Sequence, residues 1–268
     1  MTRTPEIAIA MPVYNEEGCI ADVVRSWLSI LDTAGFFNQT GRLVVVNDGS
    51  KDGTGPILDE LARKDTRLHV VHQKNGGHGS AVLRAYHECI ELGATWIFQV
   101  DSDDQFEPSD FFKLWNRRQA SHFSLGFRQK RFDALHRLVI TRMVRMSLFV
   151  MFGVWLWDSN IPFRLFSAVW LRKALNLVPE SVFAPNIFLT VLGAASDQNL
   201  GFIPIEHRDR RTGVVSIIKW KLVKVLWQGL KELFMFRLNL PTTKILLDLA
   251  ILPLPGAAKP QEAPDKIA

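Results

Sequence analysis

Four short runs early in the chain are rich in Ile and Val, and each ends in polar or Pro/Gly residues. They are "EIAIAMP" (6–12), "RLVVVND" (42–48), "RLHVVHQ" (67–73) and "TWIFQVD" (95–101). Runs of this length, rich in Ile and Val, predict short β-strands. Helical patterning fills the intervals near 16–34, 52–65 and 77–93, and Asp52 and Ser80 are the expected caps of the last two. Strands alternating with helices imply right-handed crossovers and a mainly parallel sheet. In such sheets ligands gather at the carboxyl ends of the strands. Here each strand runs into a polar cluster: "PVYNEE", "NDGSKDGT", "QKNGGHGSA" and "DSDDQ", in that order. All four point to one edge of the sheet, and together they make a site.

The second half has a different texture. Arg128, Lys130, Arg131, Arg137, Arg142 and Arg145 lie among apolar residues. The run "MSLFVMFGVWLW" (146–157) is shorter than the roughly 20 residues of a membrane-spanning helix. It reads as a buried helix or as a lipid contact. "GFIPIEHRDRRTG" (201–213) predicts a further strand and a polar turn. Residues 217–238 predict an amphipathic helix, with Lys221, Lys224, Gln228 and Lys231 on one face and Trp220, Val223, Trp227, Leu230 and Phe234 on another. The expected division is a catalytic domain over 1–213, amphipathic helices over 214–252 and a disordered Pro- and Ala-rich tail over 253–268.

Composition narrows the setting. The chain has 268 residues, 47% of them hydrophobic, with 18 Phe and 8 Trp, which excludes disorder and leaves ample length for a core. Its two cysteines, Cys19 and Cys89, have no metal-binding spacing and read as reduced thiols. The chain enters a strand pattern almost at once, so no signal peptide is expected. A formal net charge of +5 points to an anionic partner. The arginines share their segment with long aliphatic runs, which favours nucleotide or membrane surface over nucleic acid.

The crowded carboxylates of "DSDDQ" need a compensating charge. Asp101 and Asp103, two apart at a strand end, can converge on a hard divalent cation such as Mg²⁺ or Mn²⁺, with Gln105 adding a carbonyl oxygen. The bland alternative is a solvated acidic turn. Asp48, at the end of the second strand, can accept hydrogen bonds from a base or ribose, and Ser50 and the glycines beside it allow close approach. "KNGGHGSA", with Asn75, Gly76 and His78, places glycines before a helix whose N–H groups favour anions. It lacks the Lys-Ser/Thr ending of a P-loop. A nucleotide diphosphate neutralised by a metal accounts for these features together.

"MPVYNEEGCI", "VVNDGSKDGT", "KNGGHGSAVLRAY" and "FQVDSDDQF", in that order and spacing, resemble the family 2 glycosyltransferases of GT-A fold. "GFRQKRFDALHRLVITR", "WDSNIPFRLF" and "HRDRRTGVVSI" are similar to the branch that includes dolichol-phosphate mannose synthase and bacterial polyprenyl-phosphate glycosyltransferases. The resemblance covers about residues 6–240. It implies an α/β Rossmann-like sheet flanked by helices. It implies that Pro12, Tyr14, Glu16 and Asp48 line the nucleoside pocket, and that Asp101, Asp103 and Gln105 hold the metal on the donor diphosphate. Arg128 and Arg137 would meet an acceptor phosphate and Arg210 would close over the pyrophosphate. His207 lies beside Arg210 and reads equally as structural. Three features depart from the branch: His78 stands where lysine is frequent, "NIPF" puts Pro162 in place of a flexible glycine, and the C-terminal transmembrane helices of many bacterial members are missing.

The acceptor can be argued chemically. A hydroxyl acceptor needs a general base within hydrogen-bond reach. A phosphate monoester is already anionic and needs cations, which guanidinium groups supply bidentately. The region "SVFAPNIFLTVLGAASDQ" lacks the acidic base typical of hydroxyl-acceptor members, which leaves Asp158 as the candidate. Asp158 reads as a base or as a residue that caps a turn or orients an arginine. The expectation is therefore a metal-dependent, inverting transfer from a UDP- or GDP-linked sugar to a polyprenyl phosphate. It would take place at the cytoplasmic face of a membrane met through 214–240, and a homo-oligomer or membrane-protein partner is compatible with it. The rivals are transfer to a hydroxyl of a polysaccharide or glycolipid, and a catalytically silent sugar-nucleotide-binding subunit.

Overall fold

The structure is a computed structural model that describes residues 4–33, 40–128, 135–156, 158–196, 200–206, 219–240, 249 and 254–255; side chains are described from 142 in the helix that starts at 135 and from 227 in the helix that starts at 219. β1 (Ile7–Val13) is buried at every position, as a parallel strand covered on both faces must be. α1 (Ile20–Thr33) follows, and Ile20, Val23, Val24, Trp27, Leu28 and Leu31 recur at helical spacing to form its buried stripe. β2 (Gly41–Asn47), α2 (Thr54–Lys64), β3 (Leu68–His72), α3 (His78–Glu91) and β4 (Trp96–Val100) continue the alternation. The predicted strands and helices of this half agree with the observed ones to within a few residues.

The cap expectations need adjustment. The N-cap of α2 is Gly53, and Asp52, one residue earlier, accepts the N–H of Thr54 at 3.1 Å. Ser80 is no cap: α3 begins at His78, with Gly77 as its N-cap at φ 87°. The glycine turn brings the helix start forward, which leaves Ser80 in its first turn.

After β4 come a 3-10 turn (Pro108–Asp110), α4 (Phe111–Trp115), β5 (Phe123–Arg128), α5 (Leu135–Phe152), β6 (Phe163–Ser167), α6 (Ala168–Leu175), α7 (Pro185–Ala195), β7 (Gly201–Ile205) and α8 (Lys219–Leu238). The seven strands form one sheet in the order β3-β2-β1-β4-β6-β5-β7. β6 alone runs against the others, paired antiparallel with β4 and β5, and β7 adds parallel to β5. The expected mainly parallel α/β sheet with flanking helices is therefore observed. Phe98, Phe163, Phe106 and Trp27 pack together on the sheet, with Phe98 and Phe163 edge-to-face at 4.8 Å. Phe123, Phe166 and Trp170 stack in a second cluster at 4.4 to 5.9 Å. α3 approaches the 182–183 backbone so closely that a Cβ on Gly79 would lie 2.2 Å from the Val182 carbonyl oxygen.

α8 forms as expected, but its apolar residues are arranged differently. Among its described side chains, those it buries are Leu233 and Phe236, and Phe236 meets Phe188 of α7 and Phe152 of α5. Trp227 and Phe234 of the predicted apolar face are exposed, joined by Met235 and Leu238. A helix with apolar residues nearly all round has two such faces, and periodicity alone does not say which one the domain takes. α5 likewise exposes Met143, Met146, Phe149 and Val150. Among the described residues no helix is long and apolar enough to cross a membrane. His207, Arg210 and the polar turn after β7 lie outside the described residues, as do Lys130, Arg131 and almost all of the 253–268 tail.

Candidate active site

The carboxyl ends of β1 to β4 carry the four polar clusters to one edge of the sheet. Because β6 is reversed, the same edge receives the segment entering β6, and with it Asp158.

The loops after β1 and β2 are stitched into one unit. Asn15 adopts a left-handed φ of 53°, donates its N–H to Ser50 Oγ and accepts the Lys51 N–H on its side chain. The Glu16 N–H donates to Thr54 Oγ1, the Glu17 N–H to Asp52, and the Gly53 N–H to Glu17 Oε2. Pro12 is buried at the end of β1, and the Tyr14 ring stands out at 43% exposure, available for stacking. The Glu16 side chain is buried and lies 3.4 Å from Cys19 Sγ.

Asp48 is 2% exposed and its carboxylate organises the third loop. Its Oδ1 accepts from Gln73 Nε2 at 2.8 Å and from the Gly76 N–H at 2.7 Å; its Oδ2 accepts from the Gly77 N–H at 2.9 Å. Asn75 Nδ2 donates to the Asp48 carbonyl. Gly49 is obligatory beside it: φ is +67°, and a Cβ there would fall 2.7 Å from the Asn75 nitrogen. The carboxylate expected from sequence to meet base or ribose shapes the glycine loop in this structure. That loop delivers the N-terminus of α3, where His78 Nε2 stands 4.0 Å from Asp101 Oδ1.

In "DSDDQ", Asp104 has a positive φ of 55°, which tightens the turn and keeps Asp101, Asp103 and Gln105 together. Gln99 Nε2 donates to Asp101 Oδ1 at 3.1 Å, and the Gln105 N–H approaches Asp103 Oδ1 at 3.4 Å. This donor set is all oxygen and fits Mg²⁺ or Mn²⁺. Among the described residues no three His, Cys, Asp or Glu side chains are grouped as a complete cage. An ion on this turn would complete its shell from water and phosphate oxygens, as Mg²⁺ usually does.

Arg128 closes β5, two strands from β4 across β6, a lateral separation of about 10 Å. Its guanidinium lies 5.8 Å from the centre of the Phe106 ring, and its Nε is 3.9 Å from Asp158 Oδ2. Asp158 is 7% exposed. Behind this pair Arg164, on β6, is fully buried and donates to the carbonyls of Ser159, Ile161 and Asn186 and to Thr190 Oγ1. Burial pulls its pKa down to about 10, with Tyr86, Asp158 and Asp101 opposing the shift.

A family model described as glycosyl transferase family 2 matches residues 8–177, more than half of the chain. The chain belongs to that family. Its relatives include undecaprenyl-phosphate 4-deoxy-4-formamido-L-arabinose transferase of Edwardsiella ictaluri, 22% identical over 224 residues, which covers 82% of this chain and 66% of the relative. The chain thus spans just under two thirds of that relative's length. Polyprenol monophosphomannose synthase of Mycolicibacterium smegmatis is 27% identical over 202 residues, covering 70% of this chain and 76% of the relative. Glucosyl-3-phosphoglycerate synthase from Mycobacterium tuberculosis, in complex with Mn²⁺, UDP-glucose and phosphoglyceric acid, superposes with a TM-score of 0.61 at 16% identity. The match covers 89% of this chain and 81% of that one. The fold is GT-A, and the protein is a glycosyltransferase.

In this glycosyltransferase the structure gathers Pro12, Tyr14, Glu16, Asp48, Ser50, Asn75, Gly76, His78, Asp101, Asp103, Gln105, Arg128 and Asp158 at one sheet edge. The side chain of Arg137, in the first turns of α5, and Arg210 are outside the described residues. Sequence reasoning passed over Gln99, Tyr86, Asn186 and Arg164, which form a buried polar network beneath that edge. The available signal is a polar residue inside each apolar run: Gln99 in "WIFQV" and Arg164 in "FRLFS".

Proposed function

We propose that the chain is a metal-dependent, inverting glycosyltransferase that moves a sugar from a nucleotide diphosphate to a polyprenyl phosphate. The observation that carries the acceptor assignment is the pairing of Arg128 with a buried Asp158 at 3.9 Å. A carboxylate used as general base has to reach the proton it removes; this one faces a guanidinium and serves to orient it. Arg128 then offers an anion a fixed cation, which suits a phosphate nucleophile. The two relatives named above, whose names specify undecaprenyl phosphate and polyprenol, support the same class.

Asp101, Asp103 and Gln105 would hold Mg²⁺ or Mn²⁺, which when bound offsets the charge of the departing diphosphate. The chain's own groups supply the rest. Tyr14 and the stitched 14–17 and 50–54 loops form the wall for the nucleoside. The α3 N-terminus, shaped by Asp48, Asn75 and Gly76, faces phosphate together with His78. Arg128, with Arg137 and Arg210 as further cations, holds the acceptor phosphate and steadies the pyrophosphate. Direct in-line displacement by a phosphate oxygen inverts the anomeric carbon.

The membrane is met through 214–240. The outward faces of α8 (Trp227, Phe234, Leu238) and α5 (Met146, Phe149, Val150), flanked by Lys231 and Arg142, support an interfacial seat on anionic lipid at the cytoplasmic face. The test is transfer of labelled sugar to polyprenyl phosphate compared with the matching free polyprenol. Exclusive use of the phosphate supports the reading, and preference for the alcohol overturns it in favour of a hydroxyl acceptor.

A further inference from the structure

Beneath the metal turn lies a buried chain of polar side chains that the proposed chemistry does not itself require. Gln99 and Arg164 are fully buried and sit opposite each other in the β4–β6 register; Asn186 is 2% exposed and Tyr86 is fully buried. Their hydrogen bonds run in one direction. Tyr86 O–H donates to Asn186 Oδ1 at 2.9 Å, Asn186 Nδ2 donates to Gln99 Oε1 at 3.0 Å, and Gln99 Nε2 donates to Asp101 Oδ1 at 3.1 Å.

That direction is forced. Turning the Gln99 amide over would set its oxygen against the Asp101 carboxylate and its NH₂ against the NH₂ of Asn186. Turning Asn186 over would set two amide oxygens together. In a buried site each such mismatch is expensive, so one orientation survives. Arg164 fixes the far end: one guanidinium nitrogen donates to the Asn186 carbonyl at 2.8 Å and to Thr190 Oγ1 at 2.9 Å. Its other nitrogens hold the carbonyls of Ser159 and Ile161, the segment that carries Asp158 into β6.

We propose that Gln99 is the positioning residue of Asp101, its amide locked by Asn186 and Tyr86 so that a fixed N–H holds the Asp101 carboxylate in one rotamer. The inference rests on the reading of Asp101 as a metal ligand in the proposed function. Groups that orient a metal-binding carboxylate typically change metal affinity by about 10- to 100-fold when removed. Gln99 is fully buried and reaches the site through Asp101, so the loss falls on the ion and leaves the nucleoside pocket alone.

The experiment measures Mn²⁺ affinity of the full chain by electron paramagnetic resonance of free Mn²⁺, with UDP or GDP present, whichever binds in EDTA. Nucleotide affinity in EDTA and thermal unfolding are read on the same samples. Gln99→Met should weaken Mn²⁺ about 10-fold, and Tyr86→Phe, which deletes the hydroxyl that donates to Asn186 Oδ1 and lies 3.3 Å from Gln99 Oε1, by a smaller factor, about threefold. Nucleotide affinity in EDTA should stay at the wild-type value in both. If Gln99→Met does not fold, Tyr86→Phe decides by the same criterion. Wild-type Mn²⁺ affinity in the folded variants, while Asp101→Ala has lost it, would overturn the positioning role. So would a parallel loss of nucleotide affinity in EDTA, which marks a general structural defect. Wild-type Mn²⁺ affinity in Asp101→Ala is a separate failure, that of the metal assignment itself, and removes the role given to Gln99 with it.

Discussion

Replacing Asp158 with Asn removes one charge from a buried pair while keeping the side chain's volume. Asp158 Oδ2 lies 3.9 Å from Arg128 Nε, and the two side chains are only 9% and 21% exposed. At an effective dielectric constant of about 20, charges at that distance attract by about 4 kcal/mol. Desolvation opposes most of that, and the amide oxygen of Asn can still accept a hydrogen bond. A net loss of about 2 kcal/mol of stability is therefore expected. For a chain of this length that lowers the Tm by about 4–8 °C. Catalysis separates the two roles of Asp158. If it only orients Arg128, about 1.4 kcal/mol of lost alignment lowers turnover on polyprenyl phosphate by about tenfold. If it is a general base, turnover falls by about 10²- to 10⁴-fold. Initial rates over a range of acceptor concentrations in mixed micelles, at saturating donor, give kcat and KM separately. A kcat loss of more than about a hundredfold at unchanged KM would refute the orienting role and, with it, the argument for a phosphate acceptor.

Other variants test the remaining parts of the site. Asp103→Ala should abolish metal-dependent transfer with an unfolding curve like that of the wild type; full activity in this variant would remove the metal assignment. Arg128→Ala should raise the acceptor KM about tenfold while donor affinity changes little, as expected for loss of one charge-assisted contact. Equal losses on both sides would count against its acceptor role. Asp48→Asn leaves an amide NH₂ facing at least one of the three donors around it, at a cost of about 3 kcal/mol. Thermal unfolding should show the loss and nucleotide binding should weaken with it, whereas an unchanged Tm would mean that the glycine loop does not depend on this carboxylate.

Much of the first half was legible because its physics is local. A parallel strand covered on both faces is apolar throughout, so "EIAIAMP" and "TWIFQVD" mark Ile7–Val13 and Trp96–Val100 closely. The polar residues at the ends of those runs then located the site, since the sheet rule sends them to one edge. β5 and β6 were not legible. Arg164 interrupts β6, and a charged residue in "FRLFS" reads as surface until its partners are known. Ser159 and Ile161 stand just before β6, but Asn186 and Thr190 belong to α7, which only the fold brings near. The same holds for Asp48, whose bonds to Gly76 and Gly77 span nearly thirty residues and appear in no local pattern. On α8 the helix itself was predictable, but which of its two apolar faces would be buried depended on where Phe152 and Phe188 came to lie.

The most direct test of the central claim is mass spectrometry of the lipid fraction after incubation with polyprenyl phosphate, Mg²⁺ or Mn²⁺ and a panel of UDP- and GDP-sugars. The account predicts a new lipid whose mass equals polyprenyl phosphate plus one sugar residue, formed only with metal and absent with Asp103→Ala. Unchanged polyprenyl phosphate, with the sugar appearing instead on a hydroxyl acceptor in the same reaction, would contradict it.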